Sequence, residues 1–258
     1  MIFDLNVFLG YWPFRRLRHS GSKNVLKLMD RTNTDKALAL PLQAVFYKDC
    51  LEGVQEMLND IGSDRNRLLP LAVVNPNFPG WERDLRDTIE NLGCVGCGIL
   101  PNYHGYRVYD SCCEALLKTL IELDLPALLF IRLWDERSHH WCMRVPPIDI
   151  QDIEYVLNTF PALRIAIGNA NLPSEGVSLV PFMKDRTQTL LLTSYKSLYL
   201  ARMIEQIGAA HLAYGSGTPM YYAEAALMQI LEADIDESAR SRILYENAAS
   251  FISQKGIK

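Results

Sequence analysis

The chain has 258 residues, of which 49% are hydrophobic, and a formal net charge of −4. This length and composition suffice for one large domain with a sizeable core. The negative charge argues against a nucleic-acid partner, since phosphate binding needs a basic face. No run approaches the roughly 18 apolar residues of a membrane span, and the N-terminus has no apolar signal core. We therefore expect a cytoplasmic protein without a membrane partner.

Strand and helix signals alternate along the whole sequence. Apolar, β-rich runs ended by Gly or Pro predict strands, and longer amphipathic stretches predict helices. The predicted strands cover residues 2–9, 36–42, 68–74, 94–100, 126–133, 163–167, 189–194 and 212–214. The predicted helices cover residues 23–31, 51–61, 81–92, 111–123, 149–160, 176–186, 198–207, 222–233 and 237–252.

Eight strands, each followed by a helix, predict a (β/α)8 TIM barrel of class α/β. No linker or shift in composition divides the chain, so residues 1–258 are expected to form a single domain. The alternative is a doubly wound sheet, but no glycine-rich phosphate loop follows the first strand. The six cysteines fall mostly inside predicted elements and are expected to be reduced thiols.

In a (β/α)8 barrel the chemistry lies at the carboxyl ends of the strands and in the loops that follow them. Side chains alternate along a strand, so the inward-facing set can be read from the sequence. The residues that this rule directs inward near the strand ends include Asn6, Phe8, Asn75, Asn102, Phe130, Arg132 and Asn169.

Three stretches resemble motifs of the amidohydrolase superfamily. Residues 4–10 resemble its opening Asp-x-His-x-His-x-Gly, residues 212–219 its late Phe-Gly-Ser-Asp-x-Pro, and residues 243–248 its closing Leu-x-x-Asn-Ala. The branch in question is often described as amidohydrolase-2 or predicted metal-dependent TIM-barrel hydrolase. The resemblance implies a barrel fold and a hydrolase. It also implies a homodimer, because barrels of this family often pair.

The same resemblance places the family's metal ligands on residues that cannot serve as such. The two histidines of the first strand match Asn6 and Phe8, and those of the fifth and sixth strands match Phe130 and Asn169. The aspartate of the eighth strand matches Gly217. Phe and Gly offer no ligand, and Asn is a poor one for zinc. We therefore expect neither a metal nor another cofactor.

Polar and aromatic residues are concentrated in three loops, at residues 11–19, 101–107 and 132–141. These loops resemble a metal-poor subset of the same family. Four of the five histidines of the chain lie in them: His19, His104, His139 and His140.

Arg132 has two possible roles. It either pairs with a nearby carboxylate, such as Asp135 or Glu136, or binds an anionic substrate, since its fork suits a carboxylate in both cases. Asp135 is likewise either an ion-pair partner or a catalytic carboxylate.

The histidines also have two readings. His104 either caps backbone groups or acts as an acid or base near neutral pH. His139 and His140 cannot both face one pocket if the segment is extended, and we favour His140.

The remaining candidates would bind substrate. Asn6, Asn102 and Asn169 either hydrogen-bond a substrate or satisfy one another across the barrel. Trp12 and Tyr106 either stack on a substrate ring or fill the core.

Three functions remain open. The first is a metal-independent hydrolase or lyase of a small anionic carbonyl compound or lactone, for which the superfamily offers a metal-free pyrone-dicarboxylate lactonase as a partial precedent. Arg132 or Arg15 would anchor the carboxylate of the substrate. Asn6 or Asn169 would polarise its carbonyl group. His140, His104 or Asp135 would transfer the proton. The second is a barrel that has lost catalysis and binds a ligand or partner. The third is a relocated metal site built from His104, Asp135, His139 and His140.

Overall fold

Eight parallel strands, each followed by at least one helix, make up the computed structural model, which describes residues 1–193 and 199–252. Each strand overlaps the strand predicted at that place. The third is split into two segments by Leu71. The strands are β1 (Phe3–Leu9), β2 (Lys36–Pro41), β3 (Leu68–Pro70 and Ala72–Val73), β4 (Cys97–Ile99), β5 (Ala127–Phe130), β6 (Ile165–Gly168), β7 (Thr189–Leu192) and β8 (Leu212–Ala213).

The helices also follow the prediction, with two short additions. They are α1 (Ser22–Arg31), α2 (Leu42–Phe46), α3 (Cys50–Ile61), α4 (Trp81–Glu90), α5 (Pro101–His104), α6 (Ser111–Glu122), α7 (Ile150–Thr159), α8 (Val177–Met183), α9 (Leu200–Ile207), α10 (Ala223–Leu231), α11 (Glu237–Ser241) and α12 (Asn247–Ile252). Helices α2 and α5 were not predicted. Wider, π-type turns at Leu172–Gly176 and Arg242–Glu246 precede α8 and join α11 to α12. The predicted limits Ser194 and Leu198 lie outside the described residues.

All strand pairs are parallel and follow chain order, from β1 through β3 and from β3 through β8. The split in β3 joins the two sheets. Leu71 N donates to Ala39 O (2.9 Å) and Ala72 N donates to Gly96 O (2.9 Å). On the opposite side, Leu5 N donates to Tyr214 O (3.0 Å), which bonds β1 to the chain directly after β8. These contacts are those expected of a (β/α)8 barrel, so the predicted fold class is confirmed.

Burial explains why β1 is a strand with two covered faces. All seven of its residues are buried. Val7 and Leu9 pack outward in one cluster with Val25 and Met29 of α1. The partner register in β2 shifts between Asp4 and Val7, which adds one residue to β1 at that point. The polar side chains of β1 face the barrel interior, close to the carboxyl end of the strand.

Two further expectations concern the whole chain. The six cysteines are free thiols. Within residues 1–193 and 199–252, no helix combines the length and apolar character that crossing a membrane requires.

Candidate functional site

The centre of the barrel, at the carboxyl ends of the strands, is filled by neutral side chains. We call Asn6, Phe8, Leu100, Phe130 and Asn169 the central cluster, and none of them is more than 1% exposed. Asn6 Nδ2 donates to Asn169 Oδ1 (2.8 Å). The rings of Phe8 and Phe130 lie 5.3 Å apart, centroid to centroid. The inward positions predicted for Asn6, Phe8, Phe130 and Asn169 are therefore correct, and these residues contact one another in pairs.

Asn169 fixes the loop that follows β5. Its φ of 58° lies in the left-handed region, which asparagine enters more readily than most residues. Its Nδ2 donates to Arg132 O (2.8 Å), and Arg132 Nη1 donates to Asn169 O (2.9 Å). These reciprocal bonds connect the ends of β5 and β6.

Asp4 lies beneath the central cluster. Its Oδ1 accepts hydrogen bonds from Asn6 N (3.0 Å) and Ser216 N (2.8 Å), which connect β1 to the segment after β8. Burial raises the pKa of Asp4 to about 6, although these hydrogen bonds favour the charged form. This carboxyl group is thus a structural acceptor beneath the barrel mouth.

Arg132 is held by a carboxylate that the sequence did not suggest. Its Nη1 donates to Glu175 Oε2 (2.8 Å), its Nη2 bonds the other oxygen, and Glu136 is more distant at 3.8 Å. Glu175 lies in the π-type turn after β6, where it also accepts from Asn171 N (2.7 Å). Burial opposes the charge of Arg132, but the hydrogen bonds and charge of Glu175 outweigh it and raise the pKa. The geometry is that of a structural ion pair.

His104 and Tyr106 lie apart from these residues, on the β2 and β3 side of the barrel. His104 is 9% exposed, and neither ring nitrogen makes a hydrogen bond of standard geometry. Burial lowers its pKa to about 4, and the nearby carbonyl groups of Ala44, Val45 and Val74 only partly oppose this shift. Tyr106 is buried as well, and burial raises the pKa of its hydroxyl group. At neutral pH His104 is a buried, uncharged imidazole.

The loop after β5 holds its polar residues in local contacts. Asp135 caps the short 3₁₀ turn Glu136–Ser138 by accepting from Arg137 N (3.0 Å), and it pairs with the Arg137 guanidinium (2.6 Å). The exposed His140 stacks on Phe14 at 5.3 Å. Its Nδ1 accepts a bond from Cys142 N (3.2 Å).

Asn102 joins the loops after β4 and β5. Its Nδ2 donates to Ile131 O (3.3 Å) and to Pro146 O (3.0 Å). Its contacts are therefore with the backbone of the neighbouring loop, and the central cluster takes no part in them.

Aromatic residues from four loops close the barrel mouth over the central cluster. The ring of Trp12 lies 5.4 Å from that of Phe46 and 5.7 Å from that of Trp134, while Phe46 lies 6.1 Å from Tyr103. Trp12 itself is only 4% exposed. Since these residues follow β1, β2, β4 and β5, their packing covers the end of the barrel at which the carboxyl ends of the strands lie.

An open cleft of 840 Å³ lies beside this aromatic cover, between the loops after β1, β5 and β8. We call it the arginine cleft, because its lining includes Arg15, Arg16, Arg18, Arg31, Trp134 and Tyr221. The guanidinium of Arg15 lies 5.1 Å from the centre of the Trp134 ring, a cation–π distance.

Three of these arginines are free to meet an anion. Arg31 pairs with Glu224. By contrast, no ion pair within 4.0 Å involves Arg15, Arg16 or Arg18 in the part of the chain that the structure describes. The excess positive charge of the cleft therefore comes from the loop after β1.

His19, from the same loop, also lines the cleft, and its buried Nδ1 has no hydrogen-bond partner. Of the cleft residues only Arg15 was a candidate from sequence. The signal for the others was the run Arg15-Arg16-Leu17-Arg18-His19, which could have been interpreted as a single basic surface.

Residues 43–252 match the protein family described as amidohydrolase, which is more than half of the chain. A search of curated proteins gives no significant match.

Solved structures resemble the chain over nearly its whole length. A 2,6-dihydroxybenzoate decarboxylase from Rhizobium has a TM-score of 0.71 and 17% identity, covering 97% of this chain and 98% of its own. A dihydroxybenzoic acid decarboxylase from Polaromonas sp. JS666, with bound manganese and the inhibitor 2-nitroresorcinol, gives 0.74 and 17%, covering 97% and 96%. A probable 2-pyrone-4,6-dicarboxylic acid hydrolase from Acinetobacter baumannii, with citric acid bound, gives 0.69 and 13%, covering 97% and 98%. At these identities the likeness establishes the fold.

The side chains at the positions matched to the family's ligands do not fit a divalent metal. Phe8 and Phe130 offer no donor atom, and Asn6 and Asn169 are bonded to each other. Gly217 has a φ of +71°, and a Cβ atom there would lie 2.5 Å from Tyr221 Cδ2, so an aspartate would be strained and crowded. Across the described residues, no three His, Cys, Asp or Glu side chains are grouped to hold an ion, so the hypothesis of a relocated site built on His104, Asp135, His139 and His140 is wrong.

Proposed function

The chain belongs to the amidohydrolase family, and we propose that it is a metal-independent hydrolase or lyase whose small anionic carbonyl substrate binds in the arginine cleft. The observation that carries this proposal is the set of three arginines without a carboxylate partner around an open cavity of 840 Å³. That cavity lies at the carboxyl ends of the strands, where barrel enzymes bind their substrates.

The arginines suit a carboxylate substrate. Arg16 and Arg18 would form charge-assisted, bidentate hydrogen bonds with it. Arg15, stacked on Trp134, would hold the second side of the molecule with a guanidinium whose position is already restricted. An anionic substrate class also agrees with the similar structures, of which one holds citric acid and another is named for dihydroxybenzoate.

His19 is our candidate for proton transfer. It lines the cleft beside the three arginines, where an imidazole could act as a general acid or base on a bound carbonyl compound. The proposal retains Arg15 from the sequence-based candidates. It gives Arg132, Asn6 and Asn169 the role of supporting the loops, because their polar atoms bond to Glu175, to each other and to the backbone. The homodimer and the cytoplasmic location remain predictions.

Calorimetric titration with citrate and with 2,6-dihydroxybenzoate tests the binding half of the proposal. Arg16→Ala and Arg18→Ala should each weaken binding at least tenfold, whereas Arg137→Ala, which removes an arginine already paired with Asp135, should leave it unchanged. Equal affinity in all four proteins would contradict the cleft as the binding site.

Product analysis tests the chemical half. Each probe, and a panel of lactones with a carboxylate group, would be incubated with the protein and the products separated by chromatography. For a substrate that turns over, His19→Ala should reduce the rate by about 10² to 10⁴-fold. Prior dialysis against a chelator should have no effect. Stimulation by added Mn²⁺ would contradict the metal-independent reaction.

A second function, ligand binding without catalysis, is favoured by one observation. The central cluster is closed by its own contacts and covered by Trp12 and its aromatic neighbours. Submicromolar binding of a probe at the arginine cleft, with no product from any compound of the panel, would favour this second function over the first.

A further inference from the structure

A second cavity borders the arginines of the loop after β1. It has a volume of 430 Å³ and lies between this loop and the first turn of α1. We call it the outer arginine pocket. Besides Arg15, Arg16 and Arg18, its lining includes Ser20 and Asn24. The three arginines also line the arginine cleft, whereas Ser20 and Asn24 do not. Two distinct cavities therefore share the same three cations.

The charge of the outer arginine pocket is positive. Among residues 1–193 and 199–252, no Asp or Glu side chain lines it, and its three arginines form no ion pair. The first turn of α1 contains no acidic residue either. Asp60 accepts a hydrogen bond from Ser22 N at the start of α1 (2.7 Å), but this carboxylate lines a different cavity. An anion is therefore the ligand that the pocket favours.

The side chains of the pocket suit a small anion with several acceptor atoms. Trp12 and Leu17, which also line it, are only 4% and 9% exposed and so present little apolar surface to a ligand. Ser20 and Asn24 add a hydroxyl and an amide group, each able to donate a hydrogen bond. A phosphate group carries nearly two negative charges at neutral pH and more acceptor oxygens than a carboxylate, so it can use more of these donors.

The shared arginines can serve both cavities at once. A guanidinium group has five N–H donors on a planar fork, so it can bond an anion on each of two edges. The guanidinium of Arg15 lies 5.1 Å from the centre of the Trp134 ring, which associates it with the arginine cleft. Arg16 and Arg18 are then the two arginines that can bond an anion in either cavity.

We infer that the outer arginine pocket binds a phosphate group, either as inorganic phosphate or as the end of a phosphate ester. This site goes beyond the proposed function. One consequence of it rests on that function: because two anions beside the same arginines repel each other, phosphate in the outer pocket weakens the binding of an anionic substrate in the cleft.

Calorimetric titration of the full chain with inorganic phosphate and with glycerol phosphate, in a buffer free of both, tests the inference. Binding of either compound supports it, and binding of neither overturns it. Asn24→Asp changes an exposed residue and places a carboxylate in the outer pocket alone, so it should weaken this binding at least tenfold. Asn158→Asp makes the same change on an exposed residue of α7, outside both cavities, and should leave the binding unchanged. Equal phosphate affinity in Asn24→Asp and the wild type would overturn the inference.

Titration with citrate at rising phosphate concentrations distinguishes a separate pocket from the cleft itself. With phosphate in its own pocket, the apparent dissociation constant of citrate should rise and then level off once that pocket is full. A constant that rises without limit would show that phosphate enters the cleft, and the inference would be wrong. If citrate did not bind at all but phosphate bound in a manner that depends on Asn24, the proposed substrate site would fail and the phosphate site would stand.

Discussion

Replacement of His104 by leucine should make the free energy of unfolding less sensitive to acid, because the buried imidazole destabilises the folded state at low pH. Burial lowers its pKa from 6.5 to about 4, so the folded state binds a proton less readily than the unfolded state. Stability from this group is therefore fully present above pH 6.5 and is lost as the pH falls through the folded pKa. Between pH 8 and pH 4.5 the loss amounts to about 2.5 kcal/mol.

Urea denaturation followed by circular dichroism at both pH values measures this effect. The difference in free energy of unfolding between His104→Leu and the wild type should shift in favour of the variant by about 2.5 kcal/mol on going from pH 8 to pH 4.5. Val108→Ala is a suitable control, because it removes buried apolar volume without a titratable group and should cost the same at both values. If the His104→Leu difference were equal at pH 8 and pH 4.5, the imidazole would not be desolvated, and its role as an acid or base would be open again.

Three further substitutions test the interior of the barrel. Burial raises the pKa of Asp4 from 3.8 to about 6. The stability that this carboxyl group contributes is therefore fully present below pH 3.8 and is lost as the pH rises through 6. In urea denaturation, Asp4→Asn should stabilise the protein by up to about 3 kcal/mol at pH 8 and should have no such effect at pH 3.5. Glu175→Gln leaves the nearly buried guanidinium of Arg132 without its anion and should cost about 3 kcal/mol, part of which Arg132→Met in the same protein should restore. Gly168→Ala would place a Cβ atom 2.5 Å from Phe130 Cδ1; it should cost about 1–3 kcal/mol in thermal denaturation, and Phe130→Leu should relieve the cost.

The eight strands could be predicted because each is short, apolar and buried on both faces, and because Gly or Pro-Asn pairs end several of them. Helices α2 and α5 were not predicted from the sequence, for a physical reason. With 5 and 4 residues, they are too short to display a helical period, and they lie in the connections that follow β2 and β4. Helix α2 matters for His104, since the carbonyl groups of Ala44 and Val45 lie near its ring.

The inward positions of Asn6, Phe8, Phe130 and Asn169 could also be predicted, since alternation along a strand fixes them even though β1 contains an additional residue. Their partners could not. Arg132 was expected to meet a carboxylate of its own loop, but Glu175 is 43 positions away, and only the π-type turn after β6 brings it near. The arginine cleft likewise depends on three loops that are distant in sequence, so only the contribution of residues 15–19 was visible beforehand.

The contacts of the central cluster support the proposal that the loops of this protein bind the substrate. A divalent ion at the barrel centre would have to break the bond between Asn6 and Asn169 and separate Phe8 from Phe130, and the central cluster itself would offer it no anionic ligand. The same packing makes the centre rigid, and rigid strand ends hold the flanking loops in place. The arginine cleft lies at the edge of this closed centre, and its Arg15, Arg16 and Arg18 form no ion pair with any described residue.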